Sequence, residues 1–167
     1  MRLLAGALLI ISGTTFCGAA AARRLSRRTR TLAALASALE MLSSEIEFRL
    51  SPLPVIMGRL ARRYEALAPL FEPCARDITN ESCFEANWSA ALSTSELPLT
   101  GDERAMLLEL GGVLGRYDAD GQRNSLLQAK RRLSELLTAA REEQAAKTRL
   151  FGFMGVAAGL LLVILAV

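Results

Sequence analysis

The chain contains no histidine. That removes the commonest general acid and base near neutral pH and one of the main zinc ligands. Aromatic residues make up only 5% of it, and the net charge is just +3 at pH 7. A dedicated nucleic-acid binder carries a stronger basic excess with aromatics interleaved, so no nucleic-acid partner is expected. Cysteine is scarce and odd in number: Cys17, Cys74 and Cys83. Cys17 lies within an apolar run and the other two lack CxxC spacing. A disulfide framework is therefore not expected, which suits a reducing compartment. The glycines at 111, 112, 115 and 121 are not followed by the Lys-Ser/Thr of a phosphate-binding loop, which argues against ATP binding by that route. The carboxylates mostly sit beside Arg or Lys on helix faces, as a solvated surface requires. No catalytic, cofactor or metal site is expected, and an enzyme is the least favoured reading. The sequons at Asn80 and Asn87 read as chance in a cytosolic segment.

What the chain does have is two long runs without a charge, residues 3–22 and 150–167. All acidic residues, and every basic residue except Arg2, lie between them. Twenty helical residues span about 30 Å, the thickness of a bilayer core. The first run could instead be a cleaved signal peptide, since Ala19-Ala20-Ala21 resembles a small-residue cleavage site. Against that, the charged region before it is only Arg2, and Arg23, Arg24, Arg27, Arg28 and Arg30 follow at once. Positive flanks stay in the cytosol. Thr14-Thr15-Phe16 before Cys17 is not a lipoprotein signal. Lys147 and Arg149 precede the second run and place its amino-terminal side in the cytosol as well; the competing reading there is a buried core helix. The expected organisation is a transmembrane helix over 3–22, a cytosolic helical bundle over 23–149, and a transmembrane helix over 150–167. Gly155 and Gly159, with Gly152 one turn earlier, form a GxxxG pattern that lets membrane helices approach closely, although glycine is also simply frequent in such helices.

The middle segment reads as all-α. Leu32, Leu35, Leu39, Leu42 and Ile46 recur at steps of three and four, with Leu25 one heptad back. The stripe stops at Ser51-Pro52, where Ser51 can cap a new helix carrying Val55, Ile56, Leu60 and Tyr64. Pro69 and Pro73 bracket a short piece around Leu70 and Phe71. Ser82 with Glu85, and Thr100 with Glu103, have capping-box spacing. The first opens a helix with Phe84, Trp88 and Leu92, the second one with Met106, Leu107 and Leu110. The last helix carries Leu126, Leu127, Leu133, Leu136, Leu137 and Ala140 on one side. The spacing thus predicts about six helices, the long first and last packed antiparallel and continuous with the apolar runs. Glu45, inside the apolar first helix, is expected to pair with a bundle arginine.

Several stretches resemble the stage III sporulation protein AB family of endospore-forming bacteria. They are Ala-Arg-Arg-Leu-Ser-Arg-Arg over 22–28, Ala-Leu-Glu-Met-Leu-Ser-Ser-Glu-Ile-Glu-Phe over 38–48 and Pro-Leu-Pro over 52–54. Later come Leu-Gly-Gly-Val-Leu-Gly-Arg-Tyr-Asp over 110–118 and the apolar tail from Gly152. Phe48 stands where tyrosine is common in that family, and Gly121 where charged residues are more usual. The resemblance implies similarity to the cytosolic part of F-type platform proteins of type II secretion systems. It also implies a place in the mother-cell membrane around the forespore, within a channel complex. The implied partners are a secretion-type ATPase, the stage III sporulation protein AA, and the other channel components. The alternative is a passive scaffold that oligomerises through Gly155 and Gly159 without a motor.

Candidate contact residues each have a structural alternative. Gly111 and Gly115 serve either a close helix crossing and a helix end or a smooth surface for a partner. Asp118 is either the N-cap of the last helix or a partner contact at a bundle corner. Arg23, Arg24 and Arg27 set topology and face lipid headgroups, or dock an acidic surface of the ATPase.

Overall fold

Six α-helices make up the described part of the chain in a computed structural model. The structure describes residues 2–49, 51–76, 84–114 and 119–166, without the side chains of 2–19, 21, 49, 119–122 and 151–166. Helix α1 (Arg2–Ser44) ends in a π-helical turn, Glu45–Arg49. Helix α2 (Leu53–Arg63) leads through a 3-10 turn, Glu65–Leu67, into α3 (Ala68–Arg76). Helices α4 (Phe84–Thr94), α5 (Gly101–Leu114) and α6 (Ala119–Ala166) follow. The chain divides into a terminal unit, Met1–Thr29 with Ala139–Val167, and a central unit, Arg30–Thr138.

In the central unit most of the expected stripe is the buried face of α1: Leu32, Leu35, Leu39 and Leu42 are all at most 2% exposed, while Ile46, in the π-helical turn, is only half-buried. Helices α2 to α5 pack each against the next in chain order. They bury Ile56, Met57 and Leu60, then Leu70, Phe71 and Cys74, then Trp88 and Leu92, then Leu107 and Leu110. Apolar residues at helical spacing bury one side of each helix, and that burial, more than intrinsic propensity, holds short helices such as α3 in place. Cys74 is buried among them, which pushes its thiol up to about 12, so it packs as a small apolar group.

Local details depart from the sequence reading in four places. Ser51 does not cap α2; its hydroxyl donates to Glu45 Oε2 at 3.4 Å, and Pro52 precedes the helix with no side-chain cap. Pro73 lies inside α3 rather than beyond its end, because Leu70, Phe71 and Cys74 are buried across that turn. Val55 is 44% exposed, and Met57 and Ala61 take its place in the core. On α6 Leu127 is 42% exposed, and the buried row is Leu126, Ala129 and Leu133. The Thr100–Glu103 capping box forms as expected: Thr100 N donates to Glu103 Oε2 at 2.7 Å, and Glu103 N to Thr100 Oγ1 at 3.4 Å. Ser82 lies outside the described residues.

In the terminal unit Arg28, near the end of one segment, bonds Glu143, near the start of the other: Nη1 to Oε2, 2.9 Å. The two segments therefore meet at this level. Ala140 is buried beside this pair in sequence, and Lys147 Nζ holds the second oxygen of Glu143 at 2.6 Å. Residues 3–22 and 150–166 are helical in backbone, as parts of α1 and α6. Among the described residues no helix is long and apolar enough to cross a membrane. Most side chains of the two runs, where the expected spans fall, lie outside those described.

Candidate functional site

Arginine at the edge of an apolar helix has two ways to lower its energy: an acidic partner on the protein, or water and anions around it. The terminal unit uses both. Arg28 takes the first route through Glu143. The hydrogen bond from Lys147, with Arg28 on the other side, holds the Glu143 carboxyl below its ordinary range. Arg23, Arg24 and Arg27 are exposed, and among the described residues none of them has an ion-pair partner. Arg23 and Arg27 are one turn apart, so they share a face of α1. Arg149 is exposed on α6 next to the second apolar run. All four are thus exposed basic residues close in sequence to an apolar run.

The second feature lies in the central unit, where Gly111 was singled out. Trp88 stacks on Phe84 at 5.9 Å and 25° and meets Phe71 at 6.2 Å and 40°. Its indole N–H donates to the carbonyl of Leu107 at 2.7 Å. That bond brings the ring flat onto α5, where Gly111 is buried. A methyl group at Gly111 would run into Trp88 Cδ1 and stand 2.7 Å from Cγ and Nε1. The close helix crossing therefore accounts for the glycine, and Trp88 fills the face that a partner would otherwise meet. Gly115 and Asp118, the other candidates at this corner, lie outside the described residues. Gly155 and Gly159 fall within helical backbone of α6.

Two charged residues that position the helices were only half visible in the sequence. Glu45, 8% exposed, is held by Arg59 of α2 at 2.7 Å, the arginine partner expected but not identified. Arg104 of α5 donates to the carbonyls of Leu92, Ser95 and Leu97, the last two at 3.0 Å, and so closes the end of α4. A cation at a helix C-terminus satisfies carbonyls that have no intrahelical donor. Nothing in the spacing of Arg104 signals this, because its targets belong to the preceding helix and loop. Phe48, 77% exposed on the π-helical turn, was likewise read only as a family position.

No group of three His, Cys, Asp or Glu residues that could hold a metal exists among the described residues. A cleft of about 90 Å³ between α5 and α6, lined by Met106, Glu109, Val113, Gln128 and Arg132, is small for a cofactor.

A family model described as Stage III sporulation protein AB matches residues 3–167. The chain is similar to Stage III sporulation protein AB of Bacillus subtilis (strain 168), with 27% identity over 169 residues, covering 99% of each chain. No solved structure matches it.

Proposed function

This chain belongs to the stage III sporulation protein AB family, and from that premise we propose that it is the membrane platform of a sporulation channel. Membership carries a role in sporulation. The finer reading has three parts. Residues 3–22 and 150–167 cross the mother-cell membrane around the forespore, the part between them is cytosolic, and the platform anchors or couples a secretion-type ATPase of the stage III sporulation protein AA kind.

One observation carries the anchored reading. Arg28 lies six residues past the first apolar run, and its partner Glu143 lies seven residues before the second. At about 1.5 Å per residue those offsets are roughly 9 and 10.5 Å. The two runs therefore begin at about the same distance along their helices from the ion pair. That geometry suits a pair entering the same bilayer face. The basic residues at that level agree with a cytosolic face.

Cysteines introduced singly into the full chain test the topology in intact cells with a membrane-impermeant reagent. Positions 40, 62 and 109 should stay unlabelled until the cells are permeabilised. Labelling of these positions in unbroken cells would remove the reading. Capture of the ATPase by membranes bearing this chain tests the motor link separately. A channel that assembles and works with that capture abolished would leave only a passive scaffold.

A further inference from the structure

Charge is divided unevenly between the two units. The terminal unit holds eight basic and two acidic residues, whereas the central unit holds twelve basic and fifteen acidic. Three of the terminal unit's positive charges, Arg23, Arg24 and Arg27, are exposed and have no ion-pair partner among the described residues. Their height is also fixed by the helix. Measured from Ala22, the last residue of the apolar run, they stand about 1.5, 3 and 7.5 Å along α1. The headgroup layer on each side of a bilayer is about 5–7.5 Å deep, the difference between the full and the hydrocarbon thickness. Arg23 and Arg24 fall within it and Arg27 stands at its outer edge, while Arg149 on α6 lies about 1.5 Å from the second run.

From charge, exposure and height together, we infer that Arg23, Arg24 and Arg27 form a binding surface for anionic phospholipid headgroups. The inference rests on the anchored reading above, because only that reading sets the height. The residue type fits the ligand. Every basic residue from 23 to 30 is arginine. Its planar guanidinium presents paired donors that match two phosphate oxygens, where lysine offers a point charge. Arg23 and Arg27 share a helix face and can hold one headgroup between them, with Arg24 on an adjacent face for a neighbour. An acidic protein docking at this level would have to displace lipid from both faces. The surface fixes the depth of the terminal unit in the membrane and selects the lipid around it.

The test uses the full chain in vesicles of equal parts phosphatidylcholine and phosphatidylglycerol. Spin-labelled versions of each lipid report the fraction immobilised at the protein. Wild-type protein should prefer phosphatidylglycerol, and the preference should shrink with added salt. The triple variant R23Q/R24Q/R27Q should lose it, by about fivefold in relative association constant for each contacting arginine. R23K/R24K/R27K should keep part of it, and R62Q/R63Q, which removes two charges from the central unit against three here, should keep all of it. An undiminished preference in the glutamine triple variant would overturn the inference, as would an equal loss per charge in R62Q/R63Q. So would a triple variant that keeps its lipid preference but no longer captures the ATPase, since the surface would then serve a protein. Extraction of the wild-type chain from the vesicles by alkaline carbonate is a different failure, because it removes the anchored reading itself.

Discussion

Adjacent glycines on α5 should respond in opposite directions to the same small change. Replacing a helix-interior glycine by alanine stabilises a helix by about 1 kcal/mol when nothing else changes. At Gly112 the new methyl would meet only the tip of Glu85, with Oε1 at 3.3 Å, and that side chain is exposed and free to swing. Gly112→Ala should therefore be neutral or stabilising by up to about 1 kcal/mol. At Gly111 the same methyl meets the indole of Trp88, which is 1% exposed and fixed by two aromatic neighbours and the bond to Leu107. Either the helices separate or the ring turns. Overpacking of this kind costs about 1–3 kcal/mol, and the lost indole hydrogen bond adds about 1. After the gain in helix propensity, Gly111→Ala should still destabilise by about 1–3 kcal/mol. For a domain of this size that lowers the melting temperature by roughly 4 °C per kcal/mol. Trp88 is the sole tryptophan, so its fluorescence reports the site directly while circular dichroism follows the helices. The reasoning fails if Gly111→Ala melts at or above the wild-type temperature with an unchanged emission maximum. It fails equally if both alanine variants shift alike.

Three further outcomes follow from the same structure. Arg59→Ala takes a guanidinium away from the nearly buried Glu45 carboxylate, and should cost about 1–3 kcal/mol in thermal unfolding, with Glu45→Gln/Arg59→Ala recovering part of it. Thr100→Ala removes one half of the capping box and should cost about 0.5–2 kcal/mol, whereas Thr100→Ser should cost far less. The Glu143 carboxyl is held low chiefly by the Lys147 hydrogen bond and also by Arg28, so its tie to α1 is present at neutral pH and is lost as pH falls through that lowered value. Carboxyl carbon shifts should titrate below the ordinary glutamate range and move back towards it in Lys147→Gln; an ordinary titration in the wild-type chain would contradict the geometry.

The sequence revealed whatever depends on neighbours within one helix. The Leu32–Leu35–Leu39–Leu42 stripe and the Thr100–Glu103 box are patterns of spacing, and both appear where the spacing puts them. Glu45 announced a need, since a carboxylate on an apolar face has to find a cation, but its partner is fourteen residues away across a turn. Arg59 could not be chosen from Arg62 and Arg63 without the turn geometry. Gly111 gave two readings that only the location of Trp88, on the preceding helix, separates. Pro73 misled for a related reason. Proline disfavours a helix interior locally, while the burial of Leu70, Phe71 and Cys74 is a tertiary effect that outweighs it.

The Arg28–Glu143 pair shows how an interaction of small energy can still fix geometry. Both side chains keep contact with solvent, 20% and 39% exposed, and pairs of that kind contribute between nothing and about 1 kcal/mol. Their value to the terminal unit is therefore not stability. An ion pair has a short reach, so it distinguishes one helix register from the next turn, about 5.4 Å away, which apolar side chains sliding over each other do poorly. A slip of one turn would leave three or four apolar residues of one run level with the arginines and glutamate of the other helix. In a bilayer that would expose greasy side chains to the headgroups on one helix and drag charge towards the hydrocarbon on its neighbour. The tie biases the pair against that slip, by at most about fivefold at its own energy.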